Sequence, residues 1–278
     1  MKQTFDVLSE ECSKITTQHY STSFSLAIYL LSKEIRNPIY SIYGFVRLAD
    51  EIVDSFHDYD KKYLLDKFKK DCFESIDQRI SLNPVLNSFQ KVVNEYQIEH
   101  RLIELFLKSM EMDLERNRYT PEMYDEYILG SAQAVGLMCL QVFTAGNKEE
   151  YEHLKIPAMK LGAAFQKVNF LRDVQADYKT LDRTYFPDVD LTAFSNAEKR
   201  IIERDIEKDF AEALIGIKQL PVAARSGVYL AYVYYKQLFN KIKRTSADRV
   251  FLERIRISNF QKFGLMCDSL IRYKLNAL

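Results

Sequence analysis

Apolar residues along this chain recur every three or four positions and almost never alternate, which is the period of helices. Residues 2–19 place Phe5, Leu8, Cys12 and Ile15 on one face. Ser21 to Leu31 is a short apolar stretch that Ser21 or Ser23 can cap. Asn37 to Ser55 reads as a helix with Asn37 as its cap and Pro38 at the first helical position. Asp58 to Ile80 is a charged helix with Leu64, Leu65, Phe68 and Phe73 inward. Asn83-Pro84 repeats the cap-then-proline signal and opens a helix to about Tyr96. The next covers 99–117, with Leu102, Leu105, Phe106 and Met110. Thr120-Pro121-Glu122 starts a long helix through Val142, which Gly146-Asn147 ends. Residues 148–180 are helical with a break expected near Pro157, and Leu181 to Phe194 is irregular. Ser195-x-x-Glu198 is a capping box opening a helix to about Lys218. Helices over Leu220–Thr245 and from Ser258 complete the chain. With no strand pattern and no low-complexity linker, the fold class is all-α, about ten helices in one domain over 1–278. In such a bundle, sites lie between facing helices.

Two helices carry polar stripes that a bare helix does not want. Tyr43, Arg47, Asp50 and Asp54 are spaced four, three and four, so they share one face. Asp50 and Asp54 at i, i+4 repel each other. Gln166, Asn169, Asp173 and Asp177 form a second such face, spaced three, four and four. Set across a cavity, the two faces would gather four carboxylates, which calls for bound cations. A set of hard oxygen donors without His or Cys points to Mg²⁺, with Mn²⁺ as a substitute. Glu51 lies off the first stripe and reads as structural.

Composition narrows the class. Of 278 residues, 47% are hydrophobic and 28% charged, the range of a soluble globular protein. Eighteen Phe and eighteen Tyr are enough to line a large apolar cavity as well as fill a core. A formal net charge of zero argues against nucleic-acid binding. Cys12, Cys72, Cys139 and Cys267 are widely spaced and read as reduced, buried thiols of a cytoplasmic protein. No apolar run reaches the ~18 residues of a membrane-spanning helix, and the N-terminus is unlike a signal peptide. A lipid substrate would therefore require peripheral membrane contact. The oligomeric state is left open.

Several segments, in order, carry a resemblance. Asp50–Asp54 (DEIVD) and Asn169–Asp177 (NFLRDVQAD) resemble the paired aspartate-rich motifs of the squalene/phytoene synthase family. Ser21–Phe24 (STSF), Met110–Tyr119, Val135–Met138 (VGLM), Arg183–Pro187 (RTYFP) and Arg249–Glu253 (RVFLE) resemble the same family. The chain departs from it at Tyr20 and Thr22, where many members carry His or Lys, and at Leu129 and Gln133.

The resemblance implies a helical bundle of the isoprenoid synthase type with a central cavity. It implies two prenyl diphosphates as substrates, joined head to head with release of diphosphate. One ionises, its C1 cation alkylates the double bond of the other, and a cyclopropylcarbinyl diphosphate forms. That intermediate ionises in turn and rearranges to a hydrocarbon. Carried over residue by residue, Asp50, Asp54, Asn169, Asp173 and Asp177 correspond to metal ligands. By the same resemblance Arg47 and Tyr43 are expected to take part in catalysis, and Phe24, Arg47, Tyr127, Gln166, Arg172, Tyr235 and Arg249 in substrate binding. Asp113 matches a recurrent family segment and is given no role. The nearest expectation is phytoene synthesis from two geranylgeranyl diphosphates, without NADPH. Dehydrosqualene or squalene synthesis from farnesyl diphosphate is the alternative, and a non-catalytic assembly protein of the same shape a third.

Overall fold

The computed structural model describes residues 1–115, 118–181, 185–187 and 194–275, with the backbone alone for 176–181 and 274. Among the described residues regular structure is helical. In order the helices are α1 (Lys2–Tyr20), α2 (Thr22–Tyr29), α3 (Lys33–Asp54), α4 (Lys61–Gln78), α5 (Pro84–Tyr96), α6 (His100–Glu115) and α7 (Pro121–Ile128). After a π-turn (Leu129–Ala134) come α8 (Val135–Phe143), α9 (Lys148–Leu181), α10 (Asn196–Gln219), α11 (Val222–Lys243), α12 (Ala247–Leu252) and α13 (Asn259–Lys274). Buried apolar side chains form one continuous cluster from Ile28 to Ile255.

Several helix starts are written locally. The Asn83 side chain accepts from the amides of Val85 and Leu86, with Pro84 just inside the helix. Thr120 caps α7, and Ser195 and Ser258 form capping boxes with Glu198 and Gln261. Ser21, rather than Ser23, caps α2, accepting from the Phe24 amide at 3.2 Å. Gly146 lies beyond α8 with φ of 77°, a conformation open to glycine.

Several expectations change. α3 begins at Lys33, so Asn37 is no cap; its side chain donates to Glu10 at 2.7 Å. Pro38 lies inside the helix, where one backbone hydrogen bond is forgone. α9 runs unbroken through Pro157, whose ring lies against Gly216 of α10; a Cβ added there would stand 2.2 Å from the Pro157 Cβ. The largest change is the face of α1. Leu8 and Ile15 are about half exposed, and the buried positions are Ser9, Ser13 and Thr17. Small residues let backbones approach. The Ser13 hydroxyl sits 2.7 Å from that of Ser88, and a Cβ at Gly44 of α3 would stand 2.7 Å from the Ser13 oxygen. Closeness of three helices, not apolar area, decides which face is inside. The thiols are not all buried either: Cys267 is exposed.

The stretch Pro121–Phe143 is, by length and composition, apolar enough to cross a membrane, contrary to the sequence expectation. It is packed against α6 and α9, with Ile128, Ala134, Leu137 and Met138 buried, as in a core helix. At its centre, Gly130 lies so close to α6 that a Cβ would stand 2.3 Å from the Leu105 carbonyl oxygen. α9 and α10 are pinned by ion pairs. Lys167 reaches Asp205 and Asp209, and Lys160 meets Asp209 at 3.0 Å.

Candidate active site

A cavity of about 300 Å³ lies between α2, α3, the π-turn, α8, α9, α10 and α11. Its wall follows α9 from Leu154 to Asn169, about 22 Å of helix. At the Leu154 end the wall is apolar, with Phe143, Pro157, Ile217 and Leu220. At the Asn169 end an aromatic group gathers. Phe24 packs on Tyr43 and Tyr235 at 5.6 and 5.9 Å between ring centres, and Phe165 stacks on Tyr235 at 3.9 Å. Burial pushes the Tyr43 phenol up to about 12 and raises that of Tyr235, so both stay neutral donors. The Tyr235 hydroxyl also engages Asn169 and Arg172, linking the cavity to the second acidic stripe.

The stripe on α3 stands beside this end. Arg47 spans Asp50 and Glu51 with its two terminal nitrogens. Its guanidinium lies over the Tyr20 ring at 4.1 Å, and Tyr20 bonds Glu51 in turn. Its Nε is buried with no partner among the described residues. Asp50 keeps about a third of its side chain exposed yet is surrounded by protein, with Asp54 and Asp113 as charged neighbours. Desolvation first, then the Asp54 charge, pushes its carboxyl up to about 7. On α9, Gln166 and Asn169 face the cavity, and the Asn169 Oδ1 is buried with no partner among the described residues. Asp173 is held by Arg172 and, at 2.6 Å, by Arg254. Asp177 lies outside the residues whose side chains are described.

The structure thus brings Phe24, Tyr43, Gln166, Asn169 and Tyr235 to the cavity, with Arg47, Asp50, Arg172 and Asp173 beside its polar end. Asp54 enters through its charge on Asp50. Two expectations are corrected. Arg249 does not reach the site: it is 68% exposed and pairs with Glu253 at 2.6 Å. Arg254, on the same basic run, takes the place beside Asp173. Tyr127 is not in the cavity wall; it is buried, with its hydroxyl donating to Asp113 at 2.7 Å. Tyr185 and Tyr119 also donate to Asp113, at 2.9 and 3.3 Å, so three phenols converge on one buried carboxylate. Helical period assigns Asp113 no role, because its partners are remote along the chain or on an irregular segment.

Among the described side chains, the carboxylates of the two stripes do not gather into one cluster. Among the described residues no three His, Cys, Asp or Glu side chains are placed to share an ion, and arginines pair with Asp50 and Asp173. The donor set nonetheless suits a hard divalent cation: carboxylates crowded enough to keep a proton near neutrality, and an amide oxygen left unsatisfied. A pH dependence follows. In metal-free buffer the folded protein holds the Asp50 proton between its ordinary 3.8 and about 7, whereas the unfolded chain releases it. Stability should therefore fall as pH rises through that window. Thermal midpoints across it should slope downward for the wild type and less so for Asp50→Asn; equal slopes would remove Asp50 as the cause.

A family model described as squalene/phytoene synthase matches residues 17–261. The chain belongs to the squalene/phytoene synthase family. Members of this family are prenyltransferases, and the chain is an enzyme of that class. It is 28% identical over 297 residues to a phytoene synthase of Arthrospira platensis, covering 97% of this chain and 94% of that one. It is also 28% identical over 195 residues to a 4,4'-diapophytoene synthase of Staphylococcus haemolyticus, covering 67% and 65%. A dehydrosqualene synthase crystal structure shares the family fold with a TM-score of 0.83 at 21% identity, covering 97% of this chain and 98% of that one.

Proposed function

We propose that this family member is a phytoene synthase, joining two geranylgeranyl diphosphates head to head in carotenoid biosynthesis. The observation that carries this reading is the long apolar cavity along α9, ending between two arginine-bearing acidic stripes. A prenyl chain would lie along the apolar wall with its diphosphate at the polar end. There Arg47 and Arg172, each already on a carboxylate, could turn to phosphate oxygens. Asp50, Asp54, Asn169, Asp173 and Asp177 would hold Mg²⁺. The ion would supply charge neutralisation for the departing diphosphate. Phe24, Tyr43, Phe165 and Tyr235 present aromatic faces where an allylic cation would form, and the apolar wall would keep water from it. Residues 1–278 act as one unit in this reading, which the continuous core supports.

The farnesyl diphosphate reading is kept for one reason: the diapophytoene synthase matches at the same 28% identity as the phytoene synthase, though over less of the chain. The test is a product assay with each diphosphate, with and without Mg²⁺ and NADPH, and the hydrocarbon identified by mass. A Mg²⁺-dependent C40 product indifferent to NADPH is the expected result. A C30 product would replace the substrate and keep the chemistry. No hydrocarbon from folded protein would overturn the enzyme assignment made here for this site.

A further inference from the structure

Helix α13 turns an apolar stripe to solvent. Phe260, Phe263, Cys267, Ile271 and Leu275 follow at intervals of three, four, four and four, one face of a helix. Phe260 is 87% and Phe263 58% exposed, and the other three are exposed as well. The opposite face is what attaches the helix. Ser269 is buried, Leu265, Met266 and Leu270 are half-buried, α13 packs on α11, and the Tyr234 hydroxyl donates to the Lys262 carbonyl at 2.9 Å. The outward phenylalanines therefore do nothing for the fold, and a contiguous apolar stripe marks a contact surface.

The charge around it is predominantly positive. The whole chain is neutral, but Lys236–Arg272 holds nine Lys or Arg against three Asp or Glu, a surplus of six. Some of these are paired: Lys243 with Glu207, Arg249 with Glu253, Arg254 with Asp173, Arg272 with Asp268. Lys241, Arg244 and Arg256 are exposed and have no acidic partner among the described residues. Lys241 and Arg244, with Gln237, Ile257 and Gln261, line a recess of about 180 Å³, and Lys241 donates to the Arg256 carbonyl at 2.7 Å. Gln261 adjoins Phe260 in the chain, so the basic recess borders the apolar stripe. α1 also exposes apolar side chains, Leu8 and Ile15, but beside Asp6, Glu10 and Glu11 rather than a basic cluster.

We propose that the outer face of α13 and the Lys241–Arg244 recess together seat the protein on an anionic lipid bilayer. The phenylalanines enter the boundary between headgroups and acyl chains, and Lys241, Arg244 and Arg256 meet lipid phosphates. Apolar insertion combined with basic attraction is the pairing that gives reversible interfacial binding. The face also adjoins the site: Arg254 reaches Asp173, and the Arg172 charge is felt at Lys262. Docking there would bring the polar end of the cavity near the phase that dissolves a prenyl chain. That last consequence rests on the proposed function; bilayer binding itself does not.

Co-sedimentation with vesicles of phosphatidylcholine alone, and of phosphatidylcholine mixed with phosphatidylglycerol, tests it. The wild type should bind the mixed vesicles, less so as salt rises, and the neutral ones far more weakly. Phe260→Ser with Phe263→Ser, and separately Lys241→Glu with Arg244→Glu, should each bind mixed vesicles at least about tenfold more weakly. Both variants should keep the wild-type thermal midpoint and its turnover of detergent-dispersed substrate. Binding to neither vesicle type, or equal binding by the variants, would overturn the assignment. So would a wild-type dimer in sedimentation that Phe260→Ser with Phe263→Ser abolishes, since a second copy would then cover the stripe. Vesicle binding as expected with no hydrocarbon product would leave this face standing and remove the proposed reaction.

Discussion

Asp50→Asn is expected to lower hydrocarbon synthesis by at least about a thousandfold while leaving the protein as stable as before, or more so. The two effects have one cause. In the folded chain the Asp50 carboxyl is desolvated and faces the charges of Asp54 and Asp113, and it holds its proton up to about 7. Replacing it with a neutral amide of the same shape relieves that crowding. The same replacement takes a charge from the donors proposed for the cation and leaves Arg47 with Glu51 alone. A residue kept for stability would behave in the opposite way, losing both together. Turnover within a few-fold of wild type, measured beside the thermal midpoint, would show that Asp50 has no part in the reaction.

Asp113→Leu should act mainly on stability. It removes the acceptor of three phenols, Tyr119, Tyr127 and Tyr185, packed edge to face or tilted at 5.0 to 5.3 Å between ring centres. Hydrogen bonds to a charged group contribute about 1.5–3 kcal/mol each, and these hydroxyls would be left buried. A net loss of ~3–5 kcal/mol is expected, lowering the thermal midpoint by roughly 10 °C. Asp113→Asn, which keeps an acceptor oxygen, should lose less. Removing the Asp113 charge should also lower the pH at which Asp50 releases its proton. A leucine variant as stable as the wild type would mean that the phenols find other acceptors.

What was legible in the sequence was local. Asn83, Thr120, Ser195 and Ser258 announce helices because a cap needs only a side chain and an amide two or three residues away. The polar stripe of α3 and the Gln166–Asn169 pair of α9 follow from helical period alone. What was not legible depends on distance between helices. Ser9, Ser13 and Thr17 look like a solvent face until Gly44 and Ser88 are set against them. Arg249 and Arg254 are equivalent in a basic run until the fold turns one to Asp173 and leaves the other in water. Asp113 is one of four acids on α6 until the fold buries it and brings the phenols of Tyr119, Tyr127 and Tyr185 to it.

The π-turn at Leu129–Ala134 sets the shape of the chamber by residue count rather than by side-chain type. A turn of π-helix carries one residue more than α-helical geometry requires, so everything after it is rotated by about 100° relative to an uninterrupted helix. Val135, Gly136 and Cys139, which face the cavity, owe that aspect to the extra residue. Deleting Ser131 would let Pro121–Phe143 run as one straight α-helix of normal register while turning those residues out of the wall. The chamber would then be lined by a different set of side chains without a single one of them having been replaced.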